Sequence, residues 1–142
     1  MRIFRPLLLG AAALLGAALG LSGCFTERQN EGGQIYASHC ANCHGAQGEG
    51  LKRLIPPLAG ADYLAKNRTA LACLIRKGVQ GPLVVNGIEY NQPMPAADSH
   101  LTDSQITNLL NFVQTSWGNE QEVFTIREVS EQLQACGASD GQ

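Results

Sequence analysis

Three things are missing from this sequence, and each closes off a class of function. Ten Lys and Arg stand against twelve Asp and Glu, for a formal net charge of −2. There is therefore no basic stripe of the kind a nucleic acid requires. The longest apolar run, Leu7 to Leu21, falls short of the roughly 20 residues of a membrane-spanning helix. Cys40 and Cys43 have no further cysteine and histidine set to complete a zinc site, which takes four ligands. They also lack the βαβ setting of a thioredoxin-like pair.

What the N-terminus does contain is a secretory pattern. Arg2 and Arg5 precede the apolar run, which ends in Leu21-Ser22-Gly23-Cys24. This end resembles a bacterial lipoprotein processing site, with 1–23 as the signal peptide and Cys24 as the lipidated residue. The alternative is ordinary signal cleavage nearby, with Cys24 left as an odd thiol. Two or more acyl chains would hold the protein firmly on a membrane. Arg2 and Arg5 lie in the leader, so the exported chain keeps eight of the ten basic residues and is mildly acidic. An exported chain also sits where disulfides persist.

The chain is organised around Cys40-Ala41-Asn42-Cys43-His44. Two thiols three positions apart on a helical backbone reach one edge of a planar ligand, and the histidine that follows reaches its centre. That is the pattern of covalently attached haem c: Cys40 and Cys43 as thioethers, His44 as the proximal imidazole. An iron-bound imidazole needs an acceptor for its Nδ1–H. The Pro56-Pro57 loop offers carbonyls that are not tied up in a helix, and Pro56 is the candidate. Met94, boxed between Pro93 and Pro95, sits on rigid extended backbone and presents a soft thioether, suited to the far side of a low-spin iron. A merely buried methionine is the alternative, and His39 and His100 are weaker rivals. With Cys24 assigned to lipid and two cysteines to haem, Cys73 and Cys136 remain. They are read as a disulfide, the alternative being two unpaired buried thiols.

Around these residues the pattern predicts mostly helix. A polar tether covers 24–30. A first helix runs from Glu31 to about Ala41 with Asn30 as N-cap. It carries Ile35, Tyr36, His39, Cys40 and Cys43 on the side that meets haem and core. A helical turn is expected over 62–66 and a helix over 69–77, stopped by Gly78. Leu83 to Tyr90, centred on Asn86-Gly87, reads as a small hairpin. Thr102 with Gln105 is a capping box for a helix through Ile106, Leu109, Leu110, Val113 and Trp117, stopped by Gly118. Thr125 with Glu128 is a second, opening a helix from Ile126 to about Ala135, with Phe124 and Val129 as a hydrophobic staple.

Taken together, Gly32 and Tyr36, the Cys40 to His44 motif, Pro56 with Leu58 and Gly60, Met94-Pro95, and a later helix with Phe112 and Trp117 resemble class I cytochrome c. The resemblance spans about Asn30 to Gly118. It implies an all-α fold wrapped round one haem, with Gly32, Tyr36, Leu109 and Phe112 at the crossing of first and last helices. It also implies the Pro56 carbonyl as the acceptor for His44. The segment from Gly78 to Met94 is similar to small cytochrome domains attached to bacterial respiratory and copper-oxidase systems. The departures are the Cys73/Cys136 pair and the helix after Gly118, so the expected organisation is a cytochrome domain over 31–118 and a C-terminal extension over 119–142.

An iron held by His44 and Met94 has no open position, which implies single-electron transfer with no small-molecule substrate. The expected function is a membrane-anchored carrier in the bacterial envelope, facing the periplasm. Its partners would be redox proteins: a dehydrogenase, oxidase or reductase. Two other readings stand beside it. One is a haem enzyme or gas-binding domain with an open distal site, reducing peroxide. The other is a dedicated electron-entry subunit of an oxidoreductase complex.

Overall fold

The computed structural model describes residues 23–138. The chain begins in α1 (Gly23–His39), breaks at Cys40, and makes a single turn, α2 (Ala41–His44). After a glycine-punctuated loop come α3 (Asp62–Lys66), a 3-10 turn (Arg68–Ala70) and α4 (Leu71–Lys77). Then follow the strands β1 (Leu83–Val85) and β2 (Ile88–Tyr90), the long α5 (Asp103–Thr115) and the terminal α6 (Ile126–Ala138).

The frame is the crossing of α1 and α5. Gly32 makes it possible: a Cβ there would lie 2.2 Å from the carbonyl oxygen of Asn108 and 2.8 Å from Cβ of Phe112. Only a residue without a side chain lets the two backbones come this close, which offsets the roughly 1 kcal/mol that glycine costs inside a helix. Glu31 accepts a hydrogen bond from the Asn108 amide beside it. Tyr36, Phe112 and Trp117 then pack as a cluster, with ring centroids 4.8 to 5.5 Å apart. Buried apolar residues of α5, among them Ile106, Leu109 and Leu110, continue this core towards Leu64, Leu71 and Val85. Each such side chain contributes about 1.5–3 kcal/mol by leaving water.

Local chemistry sets the ends. Thr102 Oγ1 accepts from Gln105 N at 3.2 Å, and the Gln105 side chain accepts from Thr102 N at 3.0 Å, a complete capping box for α5. Thr125 and Glu128 repeat it for α6, at 3.2 and 2.7 Å. In the hairpin, Leu83 pairs with Tyr90 and Val85 with Ile88. Its turn places Asn86 at φ 51° and Gly87 at φ 75°, the left-handed pair that a two-residue hairpin loop demands. Asn86 also exchanges bonds with Asp62 at the start of α3, at 2.9 and 2.7 Å, so the hairpin is tied to the helical layer.

The structure corrects the sequence reading at several element ends. The segment 24–30, expected as a tether, is part of α1, because Glu, Arg and Gln are good helix formers even where polarity suggests a linker. Asn30 is accordingly not a cap; it lies inside the helix and accepts from Gln34 one turn later, at 3.3 Å. The helix expected over 69–77 splits into the 3-10 turn and α4. Helix α5 stops at Thr115, before Trp117, which takes a left-handed φ of 53°. Helix α6 runs through Gly137 to Ala138, beyond its expected end. Residues 1–22, most of the expected signal peptide over 1–23, and the side chain of Cys24 lie outside what the structure describes.

Candidate functional site

At the junction of α1 and α2 the backbone turns without losing its hydrogen bonds. Cys40 N donates to Tyr36 O at 2.8 Å, and His44 N donates to Cys40 O at 2.9 Å. Cys40 is half-buried, Cys43 exposed and His44 buried. The motif thus runs from a surface edge to an interior point within four residues. Tyr36 locks the turn from below, its hydroxyl donating to Gly45 O at 2.6 Å. Burial, with smaller help from the neighbouring Cys40 and Glu49, pushes the Tyr36 phenol up to about 12, so it remains a donor throughout the physiological range.

The loop after His44 folds back over it. Leu58 N and Ala59 N both donate to Gly48 O, at 2.7 and 2.9 Å. Gly48 has φ 66°, and the indole of Trp117 occupies the place a Cβ would take there, at 2.6 Å. This fold brings Pro56 O to 3.0 Å from His44 Nδ1. With Nδ1–H donating to a carbonyl, the neutral imidazole keeps its lone pair on Nε2. Burial lowers the His44 pKa, only partly opposed by the Pro56 carbonyl, so the ring is held neutral.

Met94 is held by a separate stretch of backbone. Val79 N donates to Met94 O at 2.9 Å and Met94 N to Val79 O at 3.0 Å, a two-bond bridge just after α4. Gly78, at φ 74°, permits it, since a Cβ there would lie 2.3 Å from Met94 O. Cys40, Cys43, His44 and Met94 all line one cavity of about 350 Å³. Its other walls are largely apolar, including Leu74, Leu83 and Tyr90. Burial is the main reason the Cys40 thiol is pushed up to about 11, with the nearby Cys43 adding to it.

The family model for cytochrome c matches residues 29–117. This chain belongs to the cytochrome c family. It is 38% identical to cytochrome c-552 of Thermus thermophilus over 118 residues, covering 77% of this chain and 78% of that one. It is 31% identical over 110 residues to the cytochrome c subunit of the quinone alcohol dehydrogenase of Gluconobacter oxydans, where it covers only 23% of the longer chain. The gluconate 2-dehydrogenase cytochrome c subunit of Pantoea cypripedii is 33% identical over 90 residues.

As a cytochrome c, the protein carries covalently bound haem c and is an electron-transfer protein and not an enzyme. The residues present suit that group. Two thiols suited to covalent attachment line a single apolar cavity with a neutral imidazole, one nitrogen held by a carbonyl, and a thioether, the last two a donor pair that matches low-spin iron. When bound, haem c supplies a one-electron couple between Fe(III) and Fe(II).

Not every expected residue lies at the cavity. His39, expected on the inward side, is exposed, with Nδ1 2.8 Å from Ser38 Oγ and 3.2 Å from Ile35 O. His100 is exposed as well. Sequence reasoning missed Asn119, which is buried and joins three elements. Its Nδ2 donates to Leu58 O at 3.0 Å and Val113 O at 2.8 Å, while its Oδ1 accepts from Gly60 N at 2.8 Å. Asn119 thus holds the loop that carries Pro56 against the end of α5. Its position directly after Gly118 is the only local signal, and two of its three partners, Leu58 and Gly60, lie about 60 positions earlier. Cys73 and Cys136 meet where α4 packs on α6, with Cα atoms 5.8 Å apart, a separation that suits a disulfide.

Proposed function

We propose that this cytochrome c is a membrane-anchored carrier that passes single electrons between respiratory-chain partners through a His44/Met94-ligated haem. Cys40 and Cys43 form the thioethers, and Pro56 accepts from the proximal histidine. The observation that carries the reading is the meeting of His44 and Met94 at one cavity, each fixed by backbone hydrogen bonds. Residues held this firmly reorganise little when the charge at the site changes by one, which is what fast electron exchange needs. The exposed Cys43 marks the edge at which the cofactor comes nearest to solvent and to a partner.

Anchoring is assigned to lipid on Cys24, with cleavage before it. Among the described residues no helix is long and apolar enough to cross a membrane. The place of work is the periplasmic side of the bacterial envelope. Replacing Cys24 by alanine would then release the protein from membranes into the soluble fraction, and continued sedimentation with membranes would refute the lipid. The Cys73/Cys136 pair is proposed as a disulfide that fixes the C-terminal extension.

A redox-protein partner is the second half of the proposal. The relatives from Gluconobacter oxydans and Pantoea cypripedii are cytochrome subunits of dehydrogenases. They favour a dehydrogenase as the donor here, with an oxidase or reductase downstream. Co-purification from detergent-solubilised membranes separates a dedicated subunit from a mobile carrier. The closed site is tested by the ferric optical spectrum: a methionine–iron charge-transfer band that disappears in Met94→Ala supports it. Ready carbon monoxide binding by the reduced wild type would favour an open, gas-binding or peroxide-reducing haem instead.

A further inference from the structure

The segment carrying Met94 is fastened at several points to one short helix. The Val79–Met94 bridge is the first fastening. Next, Ala97 N donates to Ile75 O at 2.9 Å, inside α4. Finally the Arg76 guanidinium donates with both terminal nitrogens, Nη1 to Ser99 O at 2.9 Å and Nη2 to Leu101 O at 2.6 Å. The turn within this segment closes on itself, with His100 N on Asp98 Oδ1 and Leu101 N on Asp98 O, at 2.9 and 3.1 Å. Residues 94–101 are therefore tied to α4 and the residue pair just after it at three places.

Helix α4 has only seven residues, far below the length at which a helix holds itself in water. Its position is fixed from outside, and much of the fixing comes from the C-terminal helix α6. Cys73 faces Cys136. Ala72 N, an orphan donor in the first turn of α4, donates to Gln132 Oε1 at 3.1 Å. At the other end of α4, Lys77 Nζ donates to Cys136 O. Just before α4, Arg68 lies over the Phe124 ring, 3.8 Å from its centroid, and donates to Glu122 O and Val123 O.

We infer that α4 is the positioning element for Met94, with Arg76 as its clamp on the methionine segment and α6, through the Cys73/Cys136 contact, as its brace. This rests on the reading of Met94 as the distal ligand. The physical link is local opening. For an exogenous ligand to reach the iron, the methionine sulfur must leave, and the segment that carries it must detach from its anchor. Two hydrogen bonds from a cationic guanidinium are a large part of that anchor. Arg76 is thus a positioning residue, and the C-terminal extension has a use at the haem although it lies behind α4.

The test is a titration of the ferric holoprotein with imidazole, which binds only where the methionine has left, read from the shift of the main haem absorption band. Arg76→Gln is expected to raise imidazole affinity about tenfold, and Arg76→Lys, which keeps the charge but loses the fork, by less. Cys73→Ala combined with Cys136→Ala should raise it in the same direction. Gln34→Ala, at an exposed position of α1 that does not line the cavity, should leave it unchanged. Met94→Ala separates the two layers of the argument. If Met94→Ala neither removes the methionine–iron band nor changes imidazole binding, the distal-ligand reading fails, and this inference with it. If Met94→Ala behaves as a ligand loss but Arg76→Gln and the double cysteine variant titrate like wild type, the role of α4 is overturned while the ligand assignment stands.

Discussion

His44 Nδ1 lies 3.0 Å from the carbonyl oxygen of Pro56, twelve residues further along the chain. In the proposed ligation, this one bond decides which ring nitrogen of His44 faces the iron and how strongly it donates. The carbonyl is placed by the crossing of the loop at Gly50, where a Cβ would fall 2.5 Å from Ile55 O and 2.8 Å from Pro56 O.

Gly50→Ala therefore pushes the acceptor away from His44, and φ 68° adds strain to the new side chain. A weaker acceptor makes the imidazole a poorer donor to Fe(III), so the reduction potential is expected to rise relative to wild type. Potentiometric titration of the two proteins checks the sign. An unchanged or lower potential would show that the Pro56 contact does not tune the histidine.

Gly32→Ala tests the helix crossing. The added methyl would lie 2.2 Å from Asn108 O, a backbone atom that cannot swing aside, so α1 and α5 must separate. Overpacking of this kind costs about 1–3 kcal/mol, against a gain of about 1 kcal/mol in helix propensity. A net loss of stability is expected in denaturant unfolding. A more stable variant would mean that the crossing is looser than described.

The cap of α6 carries a pH dependence of known sign. The Glu128 carboxyl is held below its ordinary 4.5, first by the bond from Thr125 N, then by the Thr125 hydroxyl, with Arg68 adding to it. A depressed carboxylate pKa gives stability that is present above the unfolded value of about 4.5 and lost as pH falls through the folded one. Glu128→Gln should flatten that acid slope in unfolding measurements made between neutral and acid pH. The effect is modest, because the side chain is 41% exposed. Thr125→Ala removes the other half of the box and should cost about 1 kcal/mol at neutral pH.

Much of this architecture was legible in the sequence, wherever it depends on neighbours along the chain. The Asn86-Gly87 turn and the two capping boxes are local patterns, and the structure has each of those elements where they predict it. The crossing at Gly32 was legible because the family resemblance supplied its distant partner. Asn119 and Arg76 were not readable in the same way. Arg76 suits the negative end of α4, but its carbonyl partners are 23 and 25 positions away, and nothing local announces them. Trp117 continues the helical spacing of Ile106 and Val113. The chain nevertheless leaves the helix after Thr115, and the indole covers Gly48 instead. Polarity also misled over 24–30, where helix-forming polar residues extend α1.

Joining residues 63 positions apart, a Cys73–Cys136 disulfide would contribute about 4 kcal/mol in the chain-entropy model. Cys73→Ala with Cys136→Ala should lower the denaturant midpoint accordingly, and a thiol reductant should lower that of the wild type but not of the variant. Equal midpoints for both proteins, with and without reductant, would mean the two sulfurs are not bonded.

The central claim is that His44 and Met94 close the iron from both sides. The optical spectrum of the ferric holoprotein, made with haem-maturation machinery, tests it most directly. The account predicts the weak red charge-transfer band of methionine–iron(III) in the wild type, its loss in Met94→Ala, and no carbon monoxide adduct of the reduced wild type. A wild-type spectrum without that band, together with ready carbon monoxide binding, would contradict it.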